Sequence, residues 1–395
     1  MKKCLSFCLA LLLGLQSLFA FDWQPQSNEA LFHDMIEFAH RFAVDARGTI
    51  AEKMLGAFIV KQERKFEIDP LFWIEDTYKF VAKLEEIFPP MVDDGSQQAL
   101  IRRNIVRLVD FPVHVDNLSA AATPEIKQAF EIARDNYLAR ARKKAFDWLK
   151  KTRVNPGELG IFKVYNMGFI FRTSERTFAI DLCWHGNKAE SERMARELSV
   201  VFVTHPHGDH YTDVMMQAMV DKGKKVFCSD PRVGKTIGDH PLRTISWADM
   251  MEPVDVEGIQ VRTLAGHQNR QDPASMPNNV YHFSFDGWII VHNGDNSDAE
   301  RDARVSEWSA PDVLIGASWN KLQRLQTAAK ACKDADPSKI LFIPSHENEF
   351  GHRVQQRESY RELFSRTDRL GNPEYDYLPF ELMDIGEGII LKKNF

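Results

Sequence analysis

Cysteine is scarce in this chain: 395 residues carry five, none in a Cys-x-x-Cys pair. Cys4 and Cys8 fall among the first twenty residues. Cys183, Cys228 and Cys332 remain, an odd number that argues against a disulfide framework. A large apolar core must hold the fold instead. No block of lysine and arginine stands out and the formal net charge is −6, so no nucleic-acid partner is expected on electrostatic grounds. That argument is weaker for a metal-dependent nuclease, whose ions bring positive charge of their own. Beyond the first residues no stretch is long and apolar enough to span a bilayer. There is no glycine-rich dinucleotide loop, no repeat at a fixed short period and no low-complexity segment. What is present, 44% hydrophobic and 27% charged residues, is an ordinary globular balance in a chain long enough for two domains.

The first twenty residues differ from the rest. Lys2 and Lys3 precede an apolar run from Leu5 to Leu15, and Leu18-Phe19-Ala20 then leads into polar sequence. This order reads as a secretory signal peptide over residues 1–20 and predicts an exported protein, periplasmic or secreted. Leu18 is bulkier than the residue usual two places before a cleavage site, so an uncleaved anchor is the alternative reading.

Residues 21–155 read as a helical domain. Leu31, Met35, Phe38 and Phe42, then Ile50, Met54 and Phe58, recur near a 3.6-residue period. Thr123-Pro124-Glu125 is a helix start, with a capping hydroxyl, proline in the first turn and an acid favoured by the dipole. That helix is expected to end near Trp148. From residue 156 to 395 the pattern changes to short apolar runs alternating with helical stretches. Phe178–Asp181, Val200–Val203, Trp288–Val291, Val313–Ile315 and Ile340–Ile343 read as strands, with an Asp286-Gly287 hairpin turn. Such alternation implies sheets covered by helices.

The chemistry concentrates after Val200–Val203, in Thr204-His205-Pro206-His207-Gly208-Asp209-His210. If strand geometry persists, His205, His207 and Asp209 point one way and can surround an ion, with His210 directed to a neighbouring site. Imidazole and carboxylate together suit zinc, manganese or iron. The alternative, histidines merely solvated in a polar turn, fits poorly with four such side chains placed so densely.

His205-x-His207-x-Asp209-His210 after an apolar strand resembles the signature of the metallo-β-lactamase superfamily, from about Phe162 to Phe395. The resemblance implies an α+β fold, an αββα sandwich of two face-to-face sheets with helices outside, here preceded by the helical domain. It implies two divalent metal ions. His205, His207 and His267 would hold one; Asp209, His210 and His346 the other; Asp295 would bridge them, and Asp209 and Asp295 would be the catalytic carboxylates. His352 is the rival for the last position, and His292 would support the ligands from behind. Asp181 would do the same, while Trp184 or His185 would line the substrate mouth. His282 reads as a strand histidine; His33, His40, His114 and His240 read as surface or satisfied core residues. Asp213 reads as the cap of a helix beginning near Val214.

The expected reaction is hydrolysis of an ester-like bond (phosphodiester, lactone, thioester or amide) by a hydroxide shared between the ions. Gly208 and Asp384-Ile385-Gly386-Glu387-Gly388 resemble the branch of lactonase-like and N-acylphosphatidylethanolamine phospholipase D-like enzymes, which implies a small-molecule or lipid-like substrate. An iron-dependent redox enzyme of the same fold, of the sulfur dioxygenase or oxygen reductase type, is the alternative. A non-catalytic metal-stabilised binding protein is a third reading, against which stand Asp209 and Asp295, since a structural zinc site closes with four ligands.

Overall fold

The periodic helical stretches become five helices in the computed structural model, which describes residues 26–228, 249–268, 276–317, 322–357, 359–360 and 378–393. Residues 1–20, read above as a signal peptide, and His240 lie outside these residues. The helices are α1 (Asn28–Asp45), α2 (Ile50–Phe66), α3 (Phe72–Ile87), α4 (Gln97–Val113) and α5 (Pro124–Lys151). Ser27, Thr49, Ser96 and Thr123 cap four of them by accepting a first-turn backbone N–H. The start expected at Thr123 is thus observed, but α5 continues past Trp148 to Lys151.

Twelve described strands form two six-stranded sheets. The first is ordered β12-β1-β2-β3-β4-β5 and the second β11-β10-β9-β8-β7-β6. The strands are β1 (Glu158–Tyr165), β2 (Gly168–Arg172), β3 (Thr177–Ile180), β4 (Val200–Val203), β5 (Lys225–Cys228) and β6 (Met250–Val256), followed by β7 (Ile259–His267), β8 (Pro277–Phe285), β9 (Trp288–His292), β10 (Val313–Ala317), β11 (Leu341–Ser345) and β12 (Glu387–Lys392). Each sheet is antiparallel at one side and parallel at the other: β3, β4 and β5 run parallel, as do β9, β10 and β11. Among the described residues four further helices intervene: α6 (Lys188–Glu197), α7 (Asp213–Asp221), α8 (Ala299–Arg304) and α9 (Leu322–Lys330). Asp213 is the first residue of α7, not its cap; Thr212 takes the cap position.

Two-residue alternation divides each strand between cores. Phe169, Phe171, Phe178, Ile180, Val200 and Phe202 of the first sheet meet Tyr281, Phe283, Ile290 and Ile343 of the second. Ile170, Ala179, Val201 and Val203 face the other way, into the core made by α1 to α7. The helical region therefore shares one continuous core with the outer face of the first sheet. Buried polar contacts reinforce that seam: Arg102 of α4 pairs with Glu387, and Tyr137 of α5 donates to Asp384. No helix among the described residues is long and apolar enough to cross a membrane.

Candidate metal centre

The parallel strands deliver polar residues to one end of the sandwich. Asp181 follows β3, residues 204–210 follow β4, Asp295 follows β9, and His346 follows β11. Two clusters form there: Asp209, His210, Asp295 and His346 in one, His205, His207 and Asp295 in the other, with the ligand atoms of each within 4.8 Å of one another. Asp295 belongs to both. The strand alternation expected past Val203 does not persist: β4 stops there, and His210 N donates to His207 O (3.0 Å) to close a turn. Asp209 consequently joins His210 rather than His205 and His207.

A chain of donors fixes the rings. His210 Nδ1 lies 2.9 Å from Asp181 Oδ2 and donates to it. Thr204 gives its N–H to Asp181 Oδ1 (2.7 Å) and its hydroxyl to Oδ2 (2.8 Å), so Oγ1 is left to accept from His205 Nδ1 (3.1 Å). With both Nδ1 atoms committed, each ring turns Nε2 into the cluster. Asp181 adopts φ 47°, which ends β3 and aims its carboxylate behind the ligands. His292 accepts from Gly294 N at Nδ1 (3.2 Å) and donates from Nε2 to Met167 O (3.0 Å), clamping the turn that presents Asp295.

His346 also leaves the usual backbone range, at φ 77°. It is held there by its neighbours: Glu347 pairs with Lys163 at 2.8 Å, both side chains 0% exposed, and Ser345 Oγ donates to Asn166 O at 2.6 Å. His346 Nε2 lies 3.2 Å from Asp295 Oδ2 and 3.6 Å from Asp209 Oδ2. His352, its rival, belongs to neither cluster and pairs instead with Glu349 at the rim.

His267 ends β7 but belongs to neither cluster. The next residue, Gln268, brings its amide to 3.1 Å from His207 Nδ1 and 3.2 Å from Asp295 Oδ2. Strand alternation explains the exchange, because adjacent side chains at a strand end point to opposite sides. Asn166, another residue not singled out from the sequence, donates to Asp209 Oδ2 at 2.5 Å. Its place in a tight turn at φ 50°, two residues before Gly168, was the available signal.

The electrostatics are those of a charge-sharing site. Burial pulls His205 well below the ordinary imidazole range, and His210 beside it adds to the effect. Burial opposes a charge on His346, but Asp295 and Asp209 overcome this and raise its pKa to about 9. His210 is likewise raised well above its usual value by Asp209, Asp295 and Asp181 against the cost of burial. Asp295 is held well below the usual carboxylate range by His346, His210 and His205, although burial pushes the other way. The residues fit divalent metal ions. Imidazoles and carboxylates converge, and the buried His205 Nε2 makes no hydrogen bond among the described residues.

Away from the centre, His282 is buried against Trp308, with ring centroids 5.2 Å apart, and burial lowers its pKa to about 4. His114 is buried and bonded to the carbonyls of Asp110 and Arg357, while His33 and His40 lie outside the site. Trp184 and His185 line a cleft of about 890 Å³ that also reaches His207 and Asp209.

Residues 164–346 match the family described as beta-lactamase superfamily domain. No curated protein matches the chain. Among solved structures, the chain is similar to Igni18, a metallo hydrolase from the archaeon Ignicoccus hospitalis, at 17% identity over 60% of this chain and 100% of that one, with a TM-score of 0.44. A possible metal-dependent hydrolase from Veillonella parvula is 14% identical over 59% of this chain and 99% of that one, with a TM-score of 0.45. CmlA, a diiron beta-hydroxylase from Streptomyces venezuelae, is 11% identical over 60% of this chain and 55% of that one, with a TM-score of 0.44.

Proposed function

We propose that this chain, a member of the metallo-β-lactamase superfamily through residues 164–346, is an exported binuclear metal-dependent hydrolase acting on an ester-like bond. One observation carries the reading: Asp295 is common to two clusters of three and four ligand atoms. A carboxylate so placed can bridge two ions, and a merely structural site would need only four ligands around one.

In this reading His205, His207 and His267 serve the first ion, Asp209, His210 and His346 the second, and Asp295 both. Divalent ions, zinc or else manganese or iron, would supply Lewis acidity and activation of water near neutral pH. The chain's own residues supply preorganisation. Asp181 and Thr204 hold the His205 and His210 rings, His292 holds the Asp295 turn, and Lys163 with Glu347 holds the backbone of His346. Asp209 and Asp295 keep negative charge at the reacting end, where it attracts the cations and orients what they bind.

The test is metal analysis of the purified protein beside a screen of phosphodiester, lactone, thioester and amide substrates. Two zinc or manganese ions per chain with turnover on one bond class are expected. His346→Ala and Asp295→Ala should each hold fewer than two ions, and His352→Ala should keep both. Two ions retained in either of the first variants would remove that residue from the assignment. One iron, or two irons without hydrolysis, would favour an iron-dependent redox enzyme instead. Export is tested by sequencing the N-terminus of the mature protein: a start near Phe21 is expected, and a start at Met1 would refute it.

A further inference from the structure

The cleft over the metal centre has two unlike walls. One is built from the loops that carry His207 and Asp209; the other is α5, from the helical region. Arg134, Leu138 and Arg142 all line it, and their spacing of four residues puts them on one face of the helix. That face alternates a guanidinium, an apolar side chain and a second guanidinium. Leu138 and Phe350 border the cleft with the small part of their apolar side chains left uncovered, and the buried Trp184 backs it.

Neither guanidinium is saturated by its protein partner. Arg134 gives Nε and Nη2 to a single oxygen of Asp135, at 2.9 and 2.8 Å. Arg142 sets Nε 3.3 Å from Glu190 Oε2, with its side chain 15% exposed. An arginine has five N–H donors in a fork matched to a planar or tetrahedral anion, so both keep donors for a third party. Their field is felt inside the cleft. His185 there is held below the ordinary imidazole range by burial first, then by Arg142 and Arg134. Holding the Arg142 guanidinium, 15% exposed, in the cleft wall costs desolvation that a neutral ligand would not offset.

We propose that the cleft selects substrates with an anionic group, a carboxylate or a phosphate monoester, set apart from the bond that is cut. Arg142, assisted by Arg134, binds that group, and Leu138 and Phe350 pack against the apolar spacer. Helix α5 is then the specificity element that the helical region contributes. The word substrate rests on the hydrolase reading; the binding of the anion does not.

Calorimetric titration of the zinc-loaded full chain tests this, with hexyl phosphate and hexanoate as probes and hexanol as the neutral control. Both anions should bind more tightly than hexanol, and the stronger of the two identifies the headgroup. Arg142→Ala and Arg134→Ala should each weaken anion binding, the former by about tenfold, and leave hexanol unchanged. Arg142→Lys should recover part of the loss, and thermal melting should be close to wild type for the exposed Arg134→Ala. Anion affinity unchanged in both alanine variants would mean that the probes bind at the metals, and would overturn the proposal. So would the absence of any preference for anions. If no ester-like substrate is turned over but the arginine dependence holds, the hydrolase reading fails and the anion site stands. If turnover is found and the variants raise KM equally for anionic and neutral esters, the hydrolase reading stands and the anion site fails.

Discussion

His210 Nδ1 lies 2.9 Å from Asp181 Oδ2, and both side chains are completely buried. The carboxylate also collects the backbone N–H and hydroxyl of Thr204, which in turn receives Nδ1 of His205. One residue behind the site thus sets the tautomer and the rotation of a ring in each cluster.

Removing that carboxylate should therefore weaken metal binding without touching a ligand. Asp181→Ala should lower metal affinity by about 10- to 100-fold, the range seen when such outer partners of ligating histidines are lost. Competition with a chromophoric chelator measures it. Affinity equal to wild type would show that the rings are positioned by packing alone.

In the proposed two-ion site, His267 and Gln268 are rivals for the first ion's remaining ligand position, one by resemblance and one by geometry. The family pattern points to His267, whereas the amide of Gln268 lies within 3.2 Å of Asp295. Elemental analysis after dialysis separates them. His267→Ala should reduce bound metal from two ions to one, because imidazole is the stronger ligand for zinc, and Gln268→Ala should keep two. The reverse result would give the position to Gln268.

Glu381 makes stability depend on pH. It is buried, and burial lifts its carboxyl to about 8 against the pull of Arg102, from an unfolded value of 4.5. A raised carboxyl keeps a proton in the folded state that the unfolded chain gives up. Its contribution is complete below pH 4.5 and is lost as pH rises through 8. Glu387, lifted to about 7 by burial, acts in the same window. Melting temperature should therefore fall between pH 5 and 8, and Glu381→Gln should flatten part of that fall. An identical slope in the variant would mean that Glu381 is ionised in the folded protein.

The sequence by itself determined a good deal, because some signals are local. A capped, periodic run must hide one face, so Thr123-Pro124-Glu125 announced α5; an apolar run can lead straight into a polar cluster, so the gathering of His205, His207, Asp209 and His210 was legible in one line of residues. Asp295 and His346 came only from the resemblance to the metallo-β-lactamase superfamily.

Only the tertiary structure decided what depends on how strands end and which loops meet. Strand alternation alone would have kept Asp209 with His205, where the resemblance had set it with His210 and His346; the latter grouping is seen because β4 stops at Val203 and a turn follows. Asn166 reaches Asp209 across 43 positions of sequence, and Lys163 reaches Glu347 across 184. No periodicity records such pairings, since each is made when two sheets and a helical layer close on one another. The face of α5 that carries Arg134 and Arg142 belongs to this class as well: its spacing is written in the sequence, but what it overlooks is set by the packing of the helices against the first sheet.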